Sequence, residues 1–156
     1  MADDWASERR QTAYEEARAV VEAQNATMQD IDEKAMRTVR ITIVVIGILV
    51  TAAEIRAGLF HPLLFPTGLV CLLGSIIMGV VTYDESNLYL GPDGPYIEEL
   101  ASDATYSNGW DRDLLETYSG IIRENYDLIS RNAAALRATN VLLVVGVVVI
   151  AIAVVI

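Results

Sequence analysis

The sequence predicts an all-α integral membrane protein with three transmembrane helices, the first and third continuing into long parallel cytoplasmic stalk helices. Three observations carry this expectation. Of 156 residues 53% are hydrophobic, yet the formal charge is -10, so oiliness and acidity must occupy different stretches. The charges fall in blocks: nine acidic and six basic residues up to Arg40, then only Glu54 and Arg56 before Asp84, then eleven acidic and four basic up to Arg137. Finally, helical periodicity without a proline runs from the charged blocks straight into apolar runs.

The elements follow in order. Residues 1–38 form an N-terminal cytoplasmic helix, capped near Ser7. Its seam is Tyr14, Ala17, Val21, Gln24, Met28, Ile31, Ala35 and Thr38, spaced alternately by three and four, the pattern of a coiled-coil-like helix. Ile41 to Ala53 is strictly apolar, and its neighbours extend a first span over 39–60, since a bilayer needs about 20 apolar residues. An outer loop over 61–65 leads to a second span over 66–83, which carries no charge and opens near Pro66. In it Ser75 and Gly79 form a small-xxx-small pair suited to close helix approach.

Residues 84–109 form a cytoplasmic loop, in which Gly91-Pro92-Asp93-Gly94-Pro95 is a turn and Tyr96 to Ala101 a short helix. The stalk helix over 110–137 has the seam Leu115, Tyr118, Ile122, Asn125, Ile129, Asn132 and Leu136. Asn125 and Asn132 either fix register as buried polar residues or face water. The third span, 138–156, is uncharged, with Gly146 as an interruption that lipid tolerates. At 1.5 Å per residue the two stalks reach about 45 and about 40 Å, so they pack in parallel and the 84–109 loop spans the return.

Basic residues favour the cytoplasmic side of a span. Lys34, Arg37 and Arg40 precede the first span, and Arg131 and Arg137 the third, whereas the outer loop region offers only Arg56 and His61. The expected location is therefore a cell membrane, multi-pass, with the N-terminus cytoplasmic and the C-terminus outside. The first apolar run lies forty residues in and does not read as a signal peptide. Glycan at the Asn25-Ala26-Thr27 sequon would invert this topology.

Candidate chemistry is sparse. One His and one intramembrane cysteine, Cys71, do not make a zinc or iron site, and no Gly-rich loop joins a strand to a helix, so no cofactor or metal is expected and no enzyme. Acidic aqueous segments disfavour nucleic acid. The partners expected are membrane lipids and further copies of the chain. Glu54 and Arg56 are placed either at an oligomer contact or pore mouth, or simply at the interface. One lysine against ten arginines, with excess carboxylates, suits a salt-saturated cytoplasm and thus a halophilic archaeon.

Two resemblances add to this. Asp30-Ile31-Asp32-Glu33-Lys34-Ala35 before a span, with a short loop and second span, resembles over about residues 25–83 the membrane hairpin of the Pycsar transmembrane and SLATT-type effectors of prokaryotic conflict systems. That likeness implies oligomerisation and membrane impairment. Tyr83-Asp84-Glu85-Ser86-Asn87-Leu88-Tyr89-Leu90-Gly91-Pro92, with Asp113-Leu114-Leu115 and Tyr118, looks like a group of small haloarchaeal multi-span membrane proteins and implies no activity. The functional expectation is a non-enzymatic, oligomeric structural or scaffolding membrane protein, with a pore-forming or membrane-disrupting effector as the alternative.

Overall fold

A computed structural model describes residues 2–56, 58–84, 87–101 and 109–155, with side chains over 8–56, 58–84, 87–98 and 109–155. The element order is α1 Ala2–Ile55, α2 Leu64–Asp84, α3 Gly94–Ala101 and α4 Trp110–Val155. The described residues are helical or loop, without strands. Three helices, α1, α2 and α4, are long and apolar enough to cross a membrane, which marks the chain as a membrane protein. Only 11% of the apolar window of α1 and 22% of those of α2 and α4 is buried within the chain. So much outward apolar surface needs lipid or another protein around it.

Helices α1 and α4 contain no proline and run unbroken through Gly47, Gly120 and Gly146, but several bounds shift for local reasons. The first span was expected to run to Phe60, whereas α1 ends at Ile55. The Arg56 N–H closes the last turn on the Ala52 carbonyl at 3.2 Å, and Gly58, at φ 86°, takes the left-handed conformation that ends helices. The connection is therefore longer than 61–65, and α2 begins at Leu64 rather than 66. Pro66 falls in the first turn, where a missing N–H costs no helical bond. The helix beginning at Ala2 leaves Ser7 inside α1 rather than capping it.

The short helix starts at Gly94, two residues before the expected Tyr96, because Asp93 caps it. Its Oδ1 accepts the Tyr96 N–H at 3.0 Å and its carbonyl accepts the Ile97 N–H at 3.2 Å. Helix α4 opens behind Gly109, φ 124°, whose carbonyl accepts the N–H groups of Arg112 and Asp113.

The chain divides into two compact units. Unit 1 joins Met1–Met28 to Asn87–Ser130, and unit 2 joins Gln29–Ser86 to Arg131–Ile156. Unit 1 has its core at Val21, Tyr118 and Ile121, flanked by Tyr14, Ala17, Leu114 and Ile122. Unit 2 buries Ile31, Ala35 and Val39 of α1, Leu72 of α2, and Ile150 and Ala153 of α4.

Burial repeats every seventh residue along both long helices. In α1 it falls on Val21, Met28, Ala35 and Thr42, and in α4 on Tyr118, Asn125, Asn132, Thr139, Gly146 and Ala153. In α4 these positions pass from tyrosine and asparagine to threonine, glycine and alanine, and small residues let apolar helices approach closely.

Candidate functional site

In unit 1 burial is uneven along the expected seam. Val21 and Met28 of α1 and Tyr118 of α4 are buried, while Tyr14, Leu115, Ile122 and Ile129 are half-buried. Tyr14 meets Tyr118 edge-to-face at 5.5 Å and 83°, and the Arg18 guanidinium lies 5.9 Å from the Tyr14 ring. Burial, and then the neighbouring Tyr14, raise the Tyr118 hydroxyl above its ordinary pKa, so it stays neutral. Gln24, polar within the seam, donates from Nε2 to the Ile122 carbonyl at 2.9 Å.

Of the two placements that its spacing left open for Asn125, burial is found and facing water is not, but its partner is a loop rather than the facing seam. Asn125 is fully buried, and it clamps the backbone of the returning loop: Oδ1 accepts the Tyr89 N–H at 3.0 Å and Nδ2 donates to the Tyr89 carbonyl at 2.8 Å. One side-chain amide thus satisfies both backbone polar groups of a loop residue. Further along, the Tyr96 hydroxyl donates to Asp113 Oδ2 at 2.8 Å. Asn125 and Tyr96 together fasten the loop and α3 to α4.

Beside these fastenings lies a cleft of about 420 Å³ lined by Arg10, Tyr14, Trp110, Asp111, Leu114 and Leu115. Arg10 and Asp111 form an ion pair across it, and Trp110 is 51% exposed. The hydrogen bond from Arg10 holds the Asp111 carboxyl below the ordinary carboxylate range against the opposing effect of desolvation, with help from the Arg112 N–H at 2.8 Å. A carboxyl depressed in the folded state stabilises above its unfolded pKa and loses that contribution as pH falls through the lower folded value. Amide exchange over 110–115 is therefore expected to quicken as pH is lowered from about 5 to about 3 beyond the intrinsic rate. Asp111→Asn should remove that extra acid dependence; the same dependence in wild type and variant would refute the role of the pair.

In unit 2, Ser75 and Gly79 belong to a longer inward stripe on α2: Gly68, Leu72, Ser75, Gly79 and Thr82, spaced by four, three, four and three, are all buried. The Ser75 hydroxyl donates to the Thr139 carbonyl at 2.9 Å. A Cβ on Gly79 would lie 2.5 Å from Val39 Cγ2, and one on Gly68 2.3 Å from Ile150 Cγ1. Gly68 and Gly146 face one another so closely that a Cβ on either would stand 3.0 Å from the other's carbonyl oxygen. Ile31 lies in the same interior, 7% exposed. Thr38 donates to Asn140 Oδ1 at 3.1 Å.

No protein family, curated protein or solved structure matches the chain. Among the described residues, no three His, Cys, Asp or Glu side chains converge in a metal-binding group. Glu54 is exposed in the last turn of α1, and Arg56 lies exposed just past it; no ion pair joins them. Arg56 instead lines a cavity with His61 and the end of α4.

Three features escaped the sequence pattern. The Gly68–Gly146 contact joins residues far apart in the chain, although the seven-residue spacing of Gly68, Ser75 and Thr82 was visible. The Arg10–Asp111 pair joins residues 101 positions apart. The Asn125 clamp acts on loop backbone, for which no periodicity exists.

Proposed function

We propose that the chain is a non-enzymatic, homo-oligomeric membrane scaffold, anchored by three spans with its N-terminus on the cytoplasmic side and acting through the aqueous helical unit. The observation that carries this reading is where polar side chains of the apolar helices turn. Thr42 is buried and donates to the Thr38 carbonyl at 2.8 Å, Thr82 to Met78 at 2.8 Å and Thr139 to Ala135 at 3.0 Å, while Ser75 reaches across to Thr139. Exposed Thr51 returns its hydroxyl to the Gly47 carbonyl at 2.8 Å. Such groups serve helix packing within one chain rather than lining water.

The outward faces support assembly in the same way. Ile43, Val44 and Ile48 of α1 and Val144 and Val148 of α4 are exposed, and in the aqueous unit Trp110, Tyr89, Leu90 and Tyr126 are exposed as well. Aromatic and aliphatic side chains left outside a folded unit suit partner contacts. The acidic surface then sustains solubility around those contacts.

Copy number in lipid nanodiscs by mass measurement, combined with ion flux from reconstituted vesicles, tests the proposal. The expected result is a defined multimer without flux above empty vesicles. A strictly monomeric particle would refute the scaffold, and steady conductance would replace it with the pore-forming alternative.

A further inference from the structure

The loop between α1 and α2 and the last turn of α4 enclose a cavity of about 590 Å³, with Arg56, Gly58, Phe60, His61 and Val155 in its wall. Its geometry is set by His61. The backbone N–H of His61 donates to the Ala153 carbonyl at 2.8 Å, and its carbonyl accepts the Phe65 N–H at 3.1 Å, tying the loop to α4 and to the first turn of α2. The imidazole Nδ1 accepts the Leu63 N–H at 3.3 Å. With Nδ1 used as acceptor, the neutral ring carries its proton on Nε2, so the side chain offers a donor.

Arg56 adds a permanent cation with a planar fork of donors. No carboxylate of a described residue lies within ion-pair distance of it, although Glu54 is two positions away. One carbonyl of the last turn of α4, that of Ala153, is taken by the His61 backbone N–H rather than by the guanidinium.

Depth fixes the kind of ligand. Helix α2 has 21 residues, about 32 Å at 1.5 Å rise, which matches a hydrocarbon core of about 30 Å. Arg56 and His61, at one end of it, stand at headgroup level. The surroundings are apolar and unusually exposed: Ile55 is 81%, Leu63 72% and Val155 85% exposed. Phe60 stacks on Phe65 at 4.4 Å and 23°, an apolar wall beside the polar cavity. A hollow that offers two donors, Arg56 and His61, with Val155 in its wall and exposed Ile55 and Leu63 adjoining Arg56 and Pro62 in the chain, suits an amphiphile with an anionic head.

We propose that Arg56 and His61 form a binding site for the phosphate group of a membrane lipid. Arg56 receives two phosphate oxygens and the His61 Nε2–H a third, while the acyl chains lie along the exposed apolar rim. A free phosphate offers the same oxygens but gains nothing from Ile55, Leu63 and Val155, which is why the lipid-borne ester is favoured.

The test uses the intact chain in nanodiscs that contain equal amounts of phosphatidylglycerol and a neutral glycosyl diacylglycerol with the same acyl chains. Lipid retained on the released protein is then counted by native mass spectrometry. Wild type should prefer phosphatidylglycerol by about tenfold, the scale of one charge-assisted hydrogen bond, and Arg56→Gln should abolish the preference. Arg56→Lys should restore part of it, and His61→Asn, which keeps an acceptor for the Leu63 N–H, should weaken it. Since Arg56 is exposed, its variants should keep wild-type helical content by circular dichroism. Equal retention in wild type and Arg56→Gln overturns the site. Binding of inorganic phosphate alone at millimolar concentration, with displacement of the lipid, overturns the assignment to a lipid headgroup.

Discussion

Gly146→Leu should separate α2 from α4 and lower the stability of the apolar unit by about 3 kcal/mol, the upper part of the range for overpacking a close contact. A Cβ at this position would stand 2.8 Å from Leu72 Cδ2 and 3.0 Å from the Gly68 carbonyl oxygen. Leu72 can rotate, but the facing backbone cannot retreat without parting the helices. Since lipid tails solvate an apolar helix as well as a neighbouring helix does, association in a membrane rests on this intimate packing and has little hydrophobic reserve. Gly47→Leu is the matched control, because a Cβ there meets nothing within 4 Å. Thermal unfolding in excess mild detergent, followed by circular dichroism, should show a large loss for Gly146→Leu and a shift within about 0.5 kcal/mol for Gly47→Leu. Equal losses for the two variants would refute the close α2–α4 crossing.

Asn125→Leu is expected to release the returning loop from α4. The substitution keeps the approximate shape of the side chain while deleting both bonds to the Tyr89 backbone, which lie at 3.0 and 2.8 Å. The loss is larger than that of two ordinary hydrogen bonds, because a buried N–H and carbonyl left without partners carry their own desolvation penalty, about 3 kcal/mol in all. Exchange of the Tyr89 amide should therefore rise by about a hundredfold, read by hydrogen-exchange mass spectrometry over 87–93. Tyr126→Leu, next in the chain and 68% exposed, should leave that exchange within twofold of wild type. Unchanged protection in Asn125→Leu would show that the loop is held by other contacts.

Much of the architecture was legible along the chain because it depends on local rules. Long uncharged runs can only be satisfied by helix in lipid, so three apolar helices follow from the charge blocks. Alternating three and four spacing named Val21, Met28, Ile31 and Tyr118, all buried, since a helix turns the same face every seven residues. Bounds were less legible. The end of α1 at Ile55 depends on the left-handed conformation of Gly58, and the start of α3 on the Asp93 side chain. Both signals lie in one or two residues and were outweighed by the hydropathy of Leu59 and Phe60 or the turn composition around Pro95.

The candidate sites divide along the same line. Ser75 and Gly79 could be named from a single helix, but their partners Thr139 and Val39 could not. Asn125 stood out as a polar residue in an apolar seam, yet periodicity assigns a residue to a face and not to the loop that covers that face. Arg56 was marked by its position, whereas its place beside His61 and Val155 arises from the path of the loop and the end of α4.

What the sequence by itself determined is thus the class of the protein: which stretches are helical, which need lipid, and which face of each helix turns inward. Those properties follow from charge, length and spacing, which add up one residue at a time. Only the tertiary structure decided the backbone approach of Gly68 to Gly146, the clamp of Asn125 on Tyr89, the Arg10–Asp111 pair and the cavity around Arg56 and His61. Each of these joins groups from separate elements, and its energy depends on distances of a few ångströms that no periodicity along one helix can specify.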